Sequence, residues 1–348
     1  MRIAWVATRR EGDVELSATR LADRGHEMIG SPASRSGRGL VASAVSVARD
    51  YLGTERPDVT LLEWDAGRWT LGPGWAAPSA LMGSRVPTVL WPTEALAAEV
   101  ENTRGWRRAL IHEAARAAAR SARAIVTRRT ETAERLERHL GIRGVTVLYD
   151  GLDLTPFLPL ERDQAKEGLN LPQTRRFISL TAPLDPDVRV DLLALAHRKI
   201  PGVGLLVAAD GPGLTAVNAM AMATRPSSPV LVVPPSLTSV RYAIGASDLG
   251  LSLRPEGPGR ESWLYAGMGR RQVGFQSSQG SDIRILTGDD RAAIDIDEPT
   301  PEGLRDALER GLRASADLGP LTAASTEAVR MACGDWVQRL ERVLAECA

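Results

Sequence analysis

Scarcity sets the first limits on this chain of 348 residues. Cysteine occurs only twice, as Cys333 and Cys347 near the C-terminus, too few for a disulfide framework or a four-ligand metal centre. The four histidines, His26, His112, His139 and His197, form neither a metal motif nor a recognisable triad. No metal and no cofactor is therefore expected. Net charge is also absent, because Lys+Arg and Asp+Glu both number 43; that argues against a whole-molecule polyanion binder. No stretch approaches the ~20 apolar residues that span a bilayer. The apolar run in MRIAWVATRREG is too short for a signal-peptide core and is followed by charge. The expectation is a cytoplasmic protein with no nucleic-acid partner and at most peripheral membrane contact.

What is present is a globular mixture, 43% hydrophobic and 25% charged, long enough for two cores. Arg2 to Thr8 reads as a short buried strand, and VELSATRLADRGHEM as a helix stopping at Gly25 before a strand from His26 to Ile29. VTLLEW, TVLW, ARAIVT and VTVLYDG continue the strands, with an Arg/Ala helix from Arg107 to Arg120. A second helix, TETAERLERHLG, is expected to be capped by Thr130 and ended by Gly141. From Leu154 to Thr174 prolines interrupt the periodicity, which marks an interdomain link. Alternation resumes with FISLTA, DVRVDLLALAHRK, VGLLVAADGPG, PVLVVPP and SDLGLSLRP. Two α/β halves of similar size imply two Rossmann-like domains facing a central cleft. Their expected bounds are 1–153 and 175–330, joined by the link 154–174 and followed by a C-terminal helix over 331–348. The Arg/Ala helix is read as a solvated charged face rather than a nucleic-acid contact.

Six short stretches occur in an informative order: LADRGHEM, ARAIVTRRTETAERL, VLYDGLDLTPF, LLVAADGPG, RYAIGASDLGLSLRPEGPG and GDWVQRLERVL. Together they resemble the retaining glycosyltransferases of family 4 (glycosyl transferase group 1), which have the GT-B fold. The resemblance covers nearly the whole chain. It implies an N-terminal acceptor domain, a C-terminal nucleotide-sugar domain and metal-independent transfer with retention.

The resemblance also points to residues. Glu256 in EGPG is similar to the first of the family's paired carboxylates, and the position of the second is Tyr265. Glu261 lies between them. Gly257 and Gly259 either present backbone N–H groups to a diphosphate or simply form a tight turn around Pro258. Asp210 and Gly211 in ADGPG complete the donor motif. The family's phosphate-facing Arg and Lys fall at Pro183 and Val188, so Arg189 is the nearest substitute, while Asp185 and Asp187 oppose a phosphate. In the N-terminal half the resemblance implies a histidine just after a strand, but TVLWPTEA holds none, which leaves Glu94 or Thr93 to fill that catalytic space. Arg9, Arg10 and Gly12 occupy the acceptor loop, and Trp91 offers a flat surface to an acceptor, unless it is ordinary loop packing.

Two functions remain open. One is a glycosyltransferase moving a sugar from a nucleotide-sugar to a small-molecule or glycan acceptor. The other is a non-catalytic GT-B-like binding or partner subunit of a glycosyltransferase system, consistent with a protein partner or a homodimer. An epimerase of the same fold needs several acid/base residues that are not apparent in the sequence.

Overall fold

The computed structural model describes residues 1–6, 21–29, 57–64, 86–92, 104–149, 152–223, 229–254, 260–334 and 336–348. The chain divides into two compact units, Met1–Gly151 with Asp335–Ala348, and Leu152–Gly334.

The first unit carries β1 (Arg2–Val6), β2 (Glu27–Ile29), β3 (Val59–Trp64), β4 (Thr88–Pro92), α1 (Trp106–Ser121), β5 (Ala124–Thr127), α2 (Thr130–Leu140) and β6 (Thr146–Val147). Its strands are parallel, in the order β2-β1-β3-β4-β5-β6. Ile3, Leu61, Val89 and Val126 form a core. The C-terminal helix Trp336–Cys347 packs on it through Trp336, Val337, Leu340 and Leu344, the spacing of one helical face. Glu341 fixes that helix to the start of β2, meeting Arg24 at 2.7 Å and His26 at 2.8 Å.

The turn signals behave unevenly. Gly25 (φ 85°) and Gly141 (φ 66°) sit in the left-handed conformation that ends a helix. Thr130, expected as a cap, is instead the first residue of α2; the cap position is Arg129, with no side-chain cap bond. The Thr130 hydroxyl lies 3.1 Å from the Tyr149 hydroxyl, a tertiary partner that local sequence does not reveal.

The second unit holds α3 (Arg162–Gly168), β7 (Arg176–Leu180), α4 (Val190–His197), β8 (Val203–Val207), α5 (Leu214–Ala223), β9 (Val230–Val232), α6 (Leu237–Ala246) and β10 (Leu249–Ser252). It continues through α7 (Glu261–Gly267), β11 (Gln272–Phe275), α8 (Ser278–Thr287), β12 (Ala293–Ile296), α9 (Pro301–Leu318) and α10 (Ala323–Gly334). The strands are again parallel, ordered β12-β11-β10-β7-β8-β9. Counted from β7, this is the doubly wound 3-2-1-4-5-6 order. Its switch point lies between β7 and β10.

The segment expected as an irregular link contains α3. Ala165 of that helix and Leu171 beyond it pack with Phe177, Leu206 and Ala243 in a core of this unit. The proline-broken sequence hid a helix of only two turns. At the other end, α10 belongs to this second unit, while Trp336–Cys347 belongs to the first.

Asp248 holds several elements together. Its buried carboxylate accepts from Arg162 Nη1 at 2.8 Å and from the Phe177 amide at 2.9 Å. Its own carbonyl accepts from the Ser315 hydroxyl at 2.8 Å. Helices α3 and α9 are thereby tied to the heads of β7 and β10. Arg270 serves a neighbouring junction by donating to the carbonyls of Ile244 (3.2 Å) and Gly245 (2.6 Å) at the end of α6, where the helix dipole favours a cation. At the open edge of β12, Arg284 donates to the Ala293 carbonyl and Arg310 to that of Asp295, each at 2.8 Å. Those carbonyls are then occupied against pairing with a foreign strand.

Removing the Asp248 carboxylate strands the Phe177 amide and a guanidinium together. Asp248→Ala is expected to lower stability by about 2–3 kcal/mol. Arg162→Ala is expected to cost less, since the Arg162 side chain is 50% exposed. Urea midpoints of the two variants check this, and equal losses would contradict it.

Candidate functional site

Parallel α/β sheets bind ligands beyond the carboxyl ends of their strands, at the switch point. In the second unit that place is bounded by the segments following β7, β8 and β10, and their backbones interlock. The Leu184 amide donates to the Asp210 carbonyl at 2.6 Å, and the Gly213 amide to the Leu184 carbonyl at 2.9 Å. The Arg189 amide donates to the Leu253 carbonyl at 3.1 Å. Gly211 has φ +108°, and a Cβ there would lie 2.9 Å from the Leu184 carbonyl oxygen. The DGPG sequence is thus a fitted joint, because only glycine allows both that conformation and that approach.

Tyr265 of α7 is fully buried. Its ring lies flat on β10 at Gly250, where an added Cβ would come within 2.3 Å of it. Its hydroxyl accepts from the Thr181 amide and the Thr181 hydroxyl, both at 3.1 Å, and donates to the Ser179 carbonyl at 3.0 Å. Burial pushes this phenol up to about 12. The hydroxyl is thus committed to the end of β7 and the residue after it.

Glu261, the first residue of α7, is also buried and accepts from the Ser252 hydroxyl at 2.6 Å. Arg189 is partly exposed and clamps Asp191 through two hydrogen bonds of 2.9 and 2.8 Å. That pairing raises the arginine and holds the Asp191 carboxyl below its usual range. Asp210 is exposed at the lip of the DGPG turn. Arg254, two residues beyond the end of β10, carries no expectation from the sequence. It meets Asp185 at 2.5 Å and Asp187 at 4.0 Å. The structure therefore brings Tyr265, Glu261, Asp210, Gly211 and Arg254 to the β7, β8 and β10 termini, with Arg189 joined through its backbone.

In the first unit Trp91 is buried near the end of β4 with Arg128 5.0 Å above its ring centroid. Its indole belongs to the core of that unit, with Val89 and Val126. Glu256, Gly257, Gly259, Glu94, Arg9, Arg10 and Gly12 lie outside the described residues. Among the described residues no group of three or more potential metal ligands occurs, and no helix is long and apolar enough to cross a membrane.

Two measurements check this geometry. Of the four tyrosines, Tyr265 is expected to ionise only near pH 12. Its folded-state value is raised, so its contribution to stability is complete below about pH 10 and is lost between there and about pH 12. Ultraviolet titration should show the late step, and Tyr265→Phe should remove it. Gly211→Ala is expected to cost at least ~1–3 kcal/mol, seen as a lowered urea midpoint; an unchanged midpoint would contradict the tight approach to Leu184.

No protein-family profile matches the chain. The D-inositol 3-phosphate glycosyltransferase of Mycolicibacterium smegmatis is 27% identical over 135 residues, which is 38% of this chain and 28% of that protein. Sucrose-phosphate synthase from Thermosynechococcus elongatus superposes with TM-score 0.63 at 12% identity, covering 99% of this chain and 98% of that one. HepE of Anabaena, in complex with UDP, gives 0.63 at 12% identity and covers 99% and 100%. UDP-GlcNAc 2-epimerase of Neisseria meningitidis, bound to UDP-GlcNAc, gives 0.55 at 11% identity and covers 99% and 100%. With two doubly wound parallel sheets in one chain and these likenesses along its whole length, the protein has the GT-B fold.

Proposed function

We propose that the chain is a glycosyltransferase that takes its sugar from a nucleotide-sugar bound at the β7/β10 switch point of the second unit. The observation that carries this reading is the interlocked carboxyl edge there, with the close-fitting Gly211 turn, a buried Glu261 and an arginine beside them. The partial likeness to a glycosyltransferase supports it, as does the likeness to a structure holding UDP. The uridine nucleotides are accordingly the first donors to try.

Transfer breaks the bond between the sugar's anomeric carbon and the diphosphate, and the electron pair leaves with the phosphate oxygen. The acceptor's hydroxyl oxygen forms the new bond, and its proton passes to the departing phosphate. Charge grows on that phosphate, so a transferase without a metal needs a cation there. Retention and a small-molecule or glycan acceptor belong to this proposal. The roles of Glu256 in positioning the sugar, of Glu94 near the reacting centre, and of Arg9, Arg10 and Gly12 toward the acceptor rest on the resemblance alone.

A non-catalytic partner subunit is the second reading, and one observation favours it. Pro183 and Val188 stand where the family supplies its phosphate cations, and Arg254 is held by aspartate.

Thermal unfolding against UDP, GDP, ADP, TDP and their sugar conjugates separates the two. A ligand at ~100 times its Kd adds about 2.7 kcal/mol, an evident rise in Tm. A response confined to one base is expected, and silence across the panel would sink the donor site. Glu256→Gln is expected to abolish turnover of the responding donor with the fold retained; undiminished turnover would remove Glu256 from the mechanism.

A further inference from the structure

The positions that resemblance assigns to phosphate cations are apolar, yet the same edge carries a guanidinium from a different strand. Arg254 lies two residues beyond β10 and faces the segment after β7, where Asp185, Asp187 and the Pro183 carbonyl oxygen (3.5 Å) surround it. Its Nε is buried and has no hydrogen-bond partner among the described residues. An arginine presents its donors as a planar fork that matches phosphate geometry, and here one donor of that fork is unused.

Exposure decides how firmly the present partners hold it. The Arg254 side chain is 25% exposed, Asp185 47% and Asp187 45%. Ion pairs this open to solvent contribute little, so exchanging one anion for another is inexpensive. Asp248, only 4% exposed and doubly bonded, is the opposite case. With one cation between them, Asp185 and Asp187 leave this cluster one negative charge in excess, which opposes an anion until a carboxylate withdraws.

We propose that Arg254 receives the diphosphate of the nucleotide ligand, and that Asp185 is its resting counter-ion, displaced when the ligand binds. This deepens the transferase reading and rests on its switch-point donor site. Arg254 then does from β10 what the family does from the segment after β7. Asp185 sets the affinity by competing for the same guanidinium.

The test is calorimetric binding of whichever diphosphate among UDP, GDP, ADP and TDP stabilises the wild-type chain, beside its parent nucleoside. Arg254→Gln is expected to weaken the diphosphate at least ~10-fold, the scale of one charge-assisted contact, and to leave the nucleoside unchanged. Arg254→Lys should fall between, since it keeps the charge without the fork. Asp185→Asn should tighten the diphosphate several-fold, a gain that vanishes when combined with Arg254→Gln. Circular dichroism reports whether each variant folds; if Arg254→Gln does not, Asp185→Asn decides alone. Wild-type affinity in Arg254→Gln would overturn the inference and leave the donor site standing. Weaker binding in Asp185→Asn would make Asp185 a ligand contact and overturn the counter-ion role. Failure of every diphosphate to bind the wild-type chain would overturn the donor site and the inference together.

Discussion

The second unit turns on the contact between Tyr265 and Gly250. Strands β7 and β10 are paired at Leu249–Ile178 and Gly250–Ser179. Just beyond, at the switch point, the Tyr265 hydroxyl takes the Thr181 amide and reaches the carbonyls of Ser179 (3.0 Å) and Leu251 (3.4 Å). One side chain thus satisfies backbone groups from both strands. It can do so only because residue 250 has no side chain. The height of α7 over the sheet follows from that contact, and so does the placement of Glu261 at the head of α7 against Ser252.

Above this floor the edge is made mostly of backbone, and several of its charged groups meet partners within the protein: Arg254 with Asp185, Arg189 with Asp191, Glu261 with a hydroxyl. The deeper charges are also matched but do different work. Asp248 and Arg270 are buried, and their partners include backbone amides and carbonyls that hold elements in place. Desolvation lowers the Arg270 value, so its charged form depends on those carbonyls and on the coulombic attraction of Asp248. A buried group with fixed partners is architectural, whereas a half-exposed pair can exchange partners. That physical difference separates the frame from the site within one network of arginines and aspartates.

Much of the fold was legible because buried parallel strands read as unbroken apolar runs. VTLLEW, AIVT and VGLLV sit where those runs place them, and Gly25 and Gly141 end helices because their conformation is local. What depended on distant partners was not legible. The Thr130 hydroxyl faces Tyr149 rather than capping α2, and α3 is stabilised by Phe177 and Ala243, far along the chain. Tyr265 was placed by counting along a motif, but nothing local said that Gly250 would admit its ring. Arg254 lay inside a motif read for its glycines and glutamate, and only the folded segment after β7 shows why an arginine there matters.

A tyrosine where the family has a second carboxylate changes the chemistry. With its value near 12 the phenol stays neutral at any physiological pH, so this position supplies no charge. A carboxylate fully buried here, beside Glu261 and without a cation, would be costly to ionise; the phenol avoids that cost and strengthens the frame. Charge at this edge then comes, among the described residues, from Glu261, Arg254, the Arg189–Asp191 pair and the aspartates Asp185, Asp187 and Asp210. GT-B architecture serves transferases and epimerases alike, so it cannot choose between a catalyst and a binding subunit. On the proposed reading, a transferase needs a cation that is neutralised at rest and available when phosphate arrives, and the half-exposed pairing of Arg254 with Asp185 supports that reading.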